Sequence, residues 1–294
     1  MTRITQLILF LLITQFSSAQ PAALKKSIET ILSNQPGHYA VAFRDLSSGE
    51  ELFIHADESF HAASTMKTPV MIEVFKQAAA GRFSLNDSFT VKNQFKSIVD
   101  GSPYQLDSTD DSDKDIYNNI GKPLPLRQLV RDMIIKSSNL ATNMVIELAG
   151  ATNVMQTMRE IGAMDIHVLR GVEDNKAYQQ GLNNTTTAAD LLLIFTRMAE
   201  GKLVSREASN QMIEILLDQH FNSVLPAQLP KEVKVAHKTG NINGVEHDGG
   251  IVMLPNGKQY VLILLSRDLP DSEQGKQLLS RISAAVYSHV TAHP

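Results

Sequence analysis

Apolar positions along this chain change their period several times, and each change marks an element boundary. Leu24, Ile28, Ile31 and Leu32 recur at three- and four-residue steps, which predicts a first helix over 22–34 that Asn34 to Gly37 stop. The period then drops to two. His38 to Asp45 and Glu51 to His55 alternate as strands do, and Ser47-Ser48-Gly49 between them supplies a hairpin turn. Helical spacing returns at Val70, Met71, Val74 and Phe75, predicting a helix from Lys67 to Ala80 that ends at Gly81. Pro69 fits only within its first turn. Leu126, Leu129, Val130, Met133 and Ile134 form another stripe, broken at Ser137-Ser138-Asn139, where a new helix starts and runs to Gly150. Further helical patterns cover 152–161, 187–200 and 205–218, with Thr152, Thr187 and Ser205 as N-caps. Strands resume at Val233–Lys238, Gly249–Met253 and Tyr260–Ser266, the last two joined by Pro255-Asn256-Gly257, and a closing helix occupies about 272–290.

Strands near both ends therefore enclose a helical middle. The pattern predicts an α/β (α+β) fold: an antiparallel sheet built from both termini and flanked by helices, with an inserted all-helical subdomain. The implied division is 20–65 plus 225–294 for the α/β subdomain and 66–224 for the helical one, with a site between them. At 294 residues the chain exceeds one ordinary core, which agrees with two interlocked units.

The first residues follow a different logic. Arg3 gives a positive start, Leu7 to Ile13 is unbroken apolar sequence, and Ser17-Ser18-Ala19 offers small residues for cleavage. This reads as a signal peptide over 1–19, cut after Ala19, and predicts a periplasmic or secreted protein. The apolar run falls well short of the roughly 20 residues of a membrane span. With no cysteine anywhere, a lipid-anchored cysteine is excluded and the exported chain must be held by its core alone. A net charge of -4 and scattered basic residues give no reason to expect nucleic acid or an anionic membrane as partner.

Two groups of polar residues read as bland. Asp107, Asp110, Asp111, Asp113 and Asp115 form an acidic stretch in which Asp111-x-Asp113-x-Asp115 echoes the first half of a calcium loop, but Ile116 and Lys122 stand where its glycine and glutamate would be, so a solvated surface loop is expected. The histidines show no H-E-x-x-H spacing, so sequence gives no support for a zinc site.

Candidate chemistry begins at Ser64-Thr65-Met66-Lys67. A serine and a lysine one turn apart at a helix start pair a weak nucleophile with a base, if burial keeps the lysine neutral enough to take a proton. Alone the motif arises about once by chance in a chain this long. Two further pieces follow in order: Ser137-Ser138-Asn139 between two helices, and Lys238-Thr239-Gly240 at the end of what reads as an inner strand. Taken singly, the serines could be N-caps and Lys238 a solvated charge.

Taken together, the three pieces resemble the class A β-lactamases and related penicillin-binding serine transferases, whose motif set is S-x-x-K, S-D-N and K-T-G. The resemblance spans roughly residues 22–290 and includes Asn183-Asn184-Thr185-Thr186-Thr187, similar to the polar run after this family's Ω-loop. It implies that Ser64 is acylated, that Lys67 takes and returns the proton, and that Ser137 relays a proton to the leaving nitrogen. Asn139 would meet the substrate's side-chain amide, while Lys238 and Thr239 would face its carboxylate. Gly240 would let the substrate lie along the strand. The backbone N–H groups of Ser64 and Asn241 would form an oxyanion hole, worth about 3 kcal/mol per donor in comparable sites. The implied substrate is a β-lactam or a D-Ala-D-Ala-like peptide; no cofactor, no metal and no obligate partner are implied, and a monomer is expected.

The chain also departs from the pattern. Class A enzymes carry Arg-x-Glu-x-x-x-Asn on the Ω-loop, the glutamate activating the water that clears the acyl-enzyme. Here the run is Arg170-Gly171-Val172-Glu173-Asp174-Asn175-Lys176-Ala177, so the arginine is one step too far and Ala177 replaces the asparagine. Asn184 replaces the aspartate that pairs with the arginine, and Ser138 the aspartate of S-D-N. Glu173 is thus either the deacylation base or an exposed loop carboxylate. The corresponding activities are a β-lactamase, or a D-Ala-D-Ala peptidase, esterase or slowly deacylating penicillin-binding protein. A non-catalytic penicillin-sensing module is a third reading, which the retained Lys67, Ser137 and Lys238 argue against.

Overall fold

The computed structural model describes residues 21–292; the expected leader over 1–19 lies outside them. From the N-terminal side, α1 (Ala22–Leu32) leads into the hairpin of β1 (His38–Asp45) and β2 (Glu51–Ile54). A short β3 (Phe60–His61), a 3-10 turn over Ala63–Met66 and α2 (Lys67–Ala79) come next. Then follow β4 (Ser88–Thr90), β5 (Phe95–Lys96), β6 (Pro103–Tyr104) and β7 (Pro123–Pro125). The helical stretch comprises α3 (Leu126–Ile135), α4 (Asn139–Ala149), α5 (Ala151–Ile161) and α6 (Asn175–Gln179). After β8 (Thr185–Thr186) come α7 (Ala188–Ala199) and α8 (Arg206–Leu217), then β9 (Lys234–Ile242), β10 (Val245–Met253), β11 (Gln259–Arg267) and α9 (Ser272–Ala292).

The main sheet has the order β2-β1-β11-β10-β9 and is antiparallel throughout. Its first and last segments meet in register, Val41 opposite Leu264, so the two ends of the chain close the sheet around the inserted helices. Period-2 alternation sorts its side chains between two cores. Val41, Phe43, Leu262 and Leu264 join Leu24 and Ile28 of α1 and Leu279, Ile282 and Val286 of α9. Ala40, Ala42, Val261 and Ile263 face the other way, onto Ile194 and Phe195 of α7 and the large helical core. No helix of the described residues is long and apolar enough to cross a membrane.

The fold class read from the sequence holds, with local differences. Three two-residue to three-residue ladders, β3–β8, β4–β7 and β5–β6, accompany the helices. The expected break before Gly249 is absent: β10 begins at Val245 and pairs with β9 through a tight turn, so 241–248 is a hairpin. Lys238 does not end an inner strand. It lies within β9, which occupies the edge of the sheet. Thr187 and Ser205 do cap α7 and α8, accepting from the Asp190 and Ala208 N–H groups. Thr152 does not cap α5; Gly150, at φ 79°, precedes that helix without a side-chain cap. A glycine fits there because the left-handed backbone costs it nothing.

The acidic stretch is also corrected. Asp111 and Asp113 are 2 % and 3 % exposed, not solvated. The Asp111 carboxylate accepts from the N–H groups of Asn139 at 3.0 Å and Leu140 at 2.9 Å, and from the Tyr117 hydroxyl at 3.1 Å. A carboxylate set against the first N–H groups of α4 satisfies orphan donors and complements the helix dipole. Asp111→Ala is therefore expected to lower unfolding free energy by about 2 kcal/mol or more, since it strands several buried donors. Urea denaturation measures this; an unchanged midpoint would refute the capping role.

Candidate active site

Ser64 sits in the 3-10 turn that enters α2, and Lys67 opens the helix itself. The serine is half-buried while the lysine is 0 % exposed. The Lys67 ammonium donates to the Ser137 carbonyl at 2.7 Å, to Ser137 Oγ at 3.1 Å and to Asn139 Oδ1 at 3.0 Å. From the other side Lys238, 1 % exposed, donates to the same Ser137 Oγ at 3.1 Å and to the Thr239 carbonyl at 2.8 Å. Three pieces of sequence 70 and more residues apart thus meet on one hydroxyl.

Burial makes both lysines poor at holding charge. It lowers Lys67 to about 7, against the opposing attraction of Asp111 and Glu173. It also pushes Lys238 well down, helped by the Lys67 charge, while Asp248 pulls the other way. Asp248 is fully buried behind β9, 2.8 Å from His237 Nδ1, and its Oδ2 accepts the Leu225 N–H. That pair fastens the strand carrying Lys238 to the loop 222–225.

The middle motif divides its work. Ser138 is the N-cap of α4, accepting from the Ala141 N–H, which confirms a structural part for this residue alone. Ser137 holds a left-handed backbone, φ 56°, that turns its hydroxyl between the two lysines. Ala63 (φ 44°) and Glu173 (φ 61°) are further non-glycine residues in that region. Such conformations cost about 1–3 kcal/mol each and persist where surrounding structure enforces them.

Glu173 is not an exposed loop carboxylate. It is partly buried, lines the cleft with Ser64, Ser137, Asn139, Thr239 and Asn241, and accepts from Asn139 Nδ2 at 2.8 Å. Burial raises its pKa above the ordinary glutamate value, with Asn139 opposing. Asn139 consequently bridges Lys67 to Glu173 through the two ends of one amide, leaving one N–H for another partner. The cleft measures about 660 Å3.

The Ω-loop is held without the family's neck salt bridge. Asn184 Oδ1 accepts from the Leu169 and Arg170 N–H groups at 2.8 and 3.2 Å, and its Nδ2 donates to the Arg170 carbonyl at 2.9 Å. The Arg170 guanidinium donates to the Leu182 carbonyl and to Asn183 Oδ1. Asn143, a residue the sequence reading missed, grips the chain beside Glu173: Oδ1 accepts from the Val172 N–H at 2.7 Å and Nδ2 donates to the Val172 carbonyl at 3.0 Å. Its signal was present, since Asn143 lies four residues after Asn139 on the same helix face and asparagine is a poor helix former. Gly171 permits the grip; a Cβ there would lie 2.3 Å from Asn143 Oδ1.

Gly240 serves the same purpose on the strand side. A Cβ at this position would stand 3.0 Å from the Ser64 nitrogen and 3.1 Å from the Thr65 nitrogen, so glycine lets β9 approach the nucleophile turn. Asn241 is exposed at the outer end of β9. Tyr104 stands behind the Ω-loop, donating to the Val172 carbonyl, rather than lining the cleft. Glu246 and His247 are buried residues of β10 that also border the cleft: His247 Nε2 lies 2.9 Å from the His61 carbonyl, and Glu246 bonds Ser272.

A half-buried serine and a fully buried lysine thus stand together between a five-stranded antiparallel sheet and a group of helices. The β-lactamase enzyme family profile matches residues 23–290, and the chain belongs to that family. Among curated relatives, β-lactamase VEB-1 of Pseudomonas aeruginosa is 26% identical over 288 residues, covering 93% of this chain and 92% of that protein. The extended-spectrum β-lactamase PER-1 of Pseudomonas aeruginosa is 24% identical, covering 94% and 92%. Among solved structures, PBP-A superposes with a TM-score of 0.80 at 27% identity, over 94% of this chain and 98% of that one. A mutant of PBP-A, solved as an acyl-enzyme complex with penicillin G, matches equally.

Proposed function

We propose that this protein is an exported serine β-lactamase of the class A type, acting through an acyl-enzyme on Ser64 that Glu173 helps to clear. The observation that carries the reading is the unbroken contact from Lys67 through Asn139 to Glu173. It joins the base beside the nucleophile to a carboxylate on the opposite wall.

Ser64 Oγ attacks the lactam carbonyl carbon as its proton passes to Lys67, and the oxyanion is met by the N–H groups of Ser64 and Asn241. The carbon–nitrogen bond then breaks. Ser137 Oγ accepts from both lysines, so its own hydrogen is free to pass to the leaving nitrogen, and Lys67 replaces it. Lys238 and Thr239 take the substrate carboxylate, whose charge restores the Lys238 ammonium that burial disfavours. In the second half Glu173 takes a proton from water, the hydroxide attacks the acyl carbon, the bond to Ser64 Oγ breaks, and the proton held by Glu173 returns through the site to release Ser64 as the alcohol. Export rests on the leader read at 1–19.

Turnover of nitrocefin by the purified protein tests this. Many turnovers per chain are expected. A single stoichiometric burst would instead favour the slowly deacylating penicillin-binding reading, which Ala177 and the carboxylate-free loop neck support; failure of both turnover and penicillin labelling would end both readings. The pH dependence follows from Lys67: with its pKa lowered to about 7, it is an effective proton acceptor above that value and a blocked ammonium below it. Single-turnover acylation rates should therefore fall about tenfold per pH unit on the acid side of 7. A flat profile from pH 5 to 8 would remove Lys67 as the base.

A further inference from the structure

Away from the cleft, one group of three metal-ligating side chains stands out among the described residues. His38, His55 and Glu58 each offer a donor atom, and these atoms all lie within 4.8 Å of one another. They come from three places: the first residue of β1, the residue after β2, and the turn before β3.

The local geometry goes beyond an ordinary surface ion pair. His38 Nε2 lies 2.5 Å from Glu58 Oε2, and that contact needs no third residue. Yet His55 adopts a left-handed backbone, φ 48°, and stacks its ring on His38 with centroids 4.9 Å apart and planes within 3°. Its Nδ1 lies 3.0 Å from the Tyr39 carbonyl oxygen. A carbonyl only accepts, so Nδ1 carries a hydrogen, and in the neutral ring the lone pair is then on Nε2. A histidine whose far nitrogen donates to a backbone carbonyl is the tautomer that metal ligation requires, fixed in advance. Glu58 is likewise oriented, accepting from Arg267, whose guanidinium lies over the Phe60 ring at 4.8 Å.

We propose that His38, His55 and Glu58 form a binding site for one zinc-class divalent ion, held by two imidazole nitrogens and a carboxylate oxygen with water completing the shell. Two imidazoles exclude a preference for calcium or magnesium, which take oxygen ligands, and suit Zn2+ at about 2.0–2.2 Å. The ion takes the place of the direct contact between His38 and Glu58. His38 and Glu58 must move apart to admit it. The stacked His38 and His55 rings must also turn out of their parallel planes, since an ion lies in the plane of each imidazole that binds it; none of the three side chains is buried. Arg267 beside Glu58 opposes the incoming charge, so the site is a moderate binder rather than a tight structural one. Binding joins β1, β2 and the segment leading through Phe60 toward Ser64.

Titration of tag-free protein with Zn2+ against a chromogenic chelator tests the site, with Co2+ absorption as the coordination signature. One equivalent per chain is expected, together with a rise in melting temperature in Zn2+. His38→Ala and His55→Asn should each weaken binding by at least about tenfold, since loss of a ligand exceeds the 10–100-fold cost of second-sphere changes. Asparagine tolerates the left-handed backbone at position 55, so this variant keeps the turn. Circular dichroism of the metal-free variants checks that they are folded. Absence of stoichiometric binding to the wild type, or unchanged affinity in both folded variants, overturns the proposal.

Discussion

Ser64→Ala is expected to abolish covalent labelling by penicillin and to lower β-lactam turnover by about 10⁶-fold, the loss seen when a serine nucleophile is removed from a working site. The size of the effect follows from how the other groups are arranged. Lys67 and Lys238 both donate to the Ser137 hydroxyl, a proton-transfer cluster that serves the nucleophile without replacing it. Without Ser64 the proton-transfer groups have no alkoxide to generate. The fold should persist, because Ser64 is only half-buried and the turn around it is held by Thr65, whose N–H and hydroxyl both donate to the Ala62 carbonyl. Mass spectrometry after penicillin exposure and nitrocefin kinetics read the two effects. Turnover that survives in Ser64→Ala would refute the acyl-enzyme mechanism outright.

Glu173→Gln should separate the two halves of the reaction. Acylation is expected to stay within a few-fold of wild type, while deacylation slows by about 10²–10⁴-fold, the usual contribution of a general base. The penicilloyl adduct on Ser64 should then accumulate and be seen at nearly one per chain. Glutamine is a demanding choice because it keeps the shape and can still accept from Asn139 Nδ2, so a loss reports the carboxylate and not the packing. The pH profile gives an independent reading. Burial raises the Glu173 pKa, and a general base works only when ionised, so deacylation should fail as pH drops through a value above the ordinary glutamate range. Acyl-enzyme should accordingly build up in the wild type at acid pH. If Glu173→Gln turns over nitrocefin at the wild-type rate, Glu173 has no part in deacylation.

How much of this was legible beforehand depended on sequence distance. Ser64 and Lys67 were visible because one helical turn fixes their relation, and Gly240 as part of the Lys238-Thr239-Gly240 motif; its close approach to the Ser64 and Thr65 nitrogens is seen only in the fold. Glu173 was ambiguous: its placement depends on Asn143 holding Val172 from 29 residues away, and on the Asn184 amide closing a loop that the family closes with a salt bridge. Asp111 was misread as solvated, since nothing local says that its carboxylate lies under the start of a helix 28 residues later. The edge position of β9 was misread for a related reason. The buried run Val235, Ala236 and His237 that leads into Lys238 looks the same whether a strand is inner or covered at the edge by helices and the nucleophile turn. The His38, His55 and Glu58 group had no motif at all, because its spacing is set by a hairpin and a turn.

What the sequence alone determined was the period of each element, the fold class those periods imply and the three motif pieces in order. These are local properties, fixed by backbone geometry within a few residues. Tertiary structure decided which charges are buried, and burial is what turns two lysines and a glutamate into candidate proton carriers. A lysine's pKa is lowered by the water it has lost and the charges it faces. Neither is written in its neighbours along the chain.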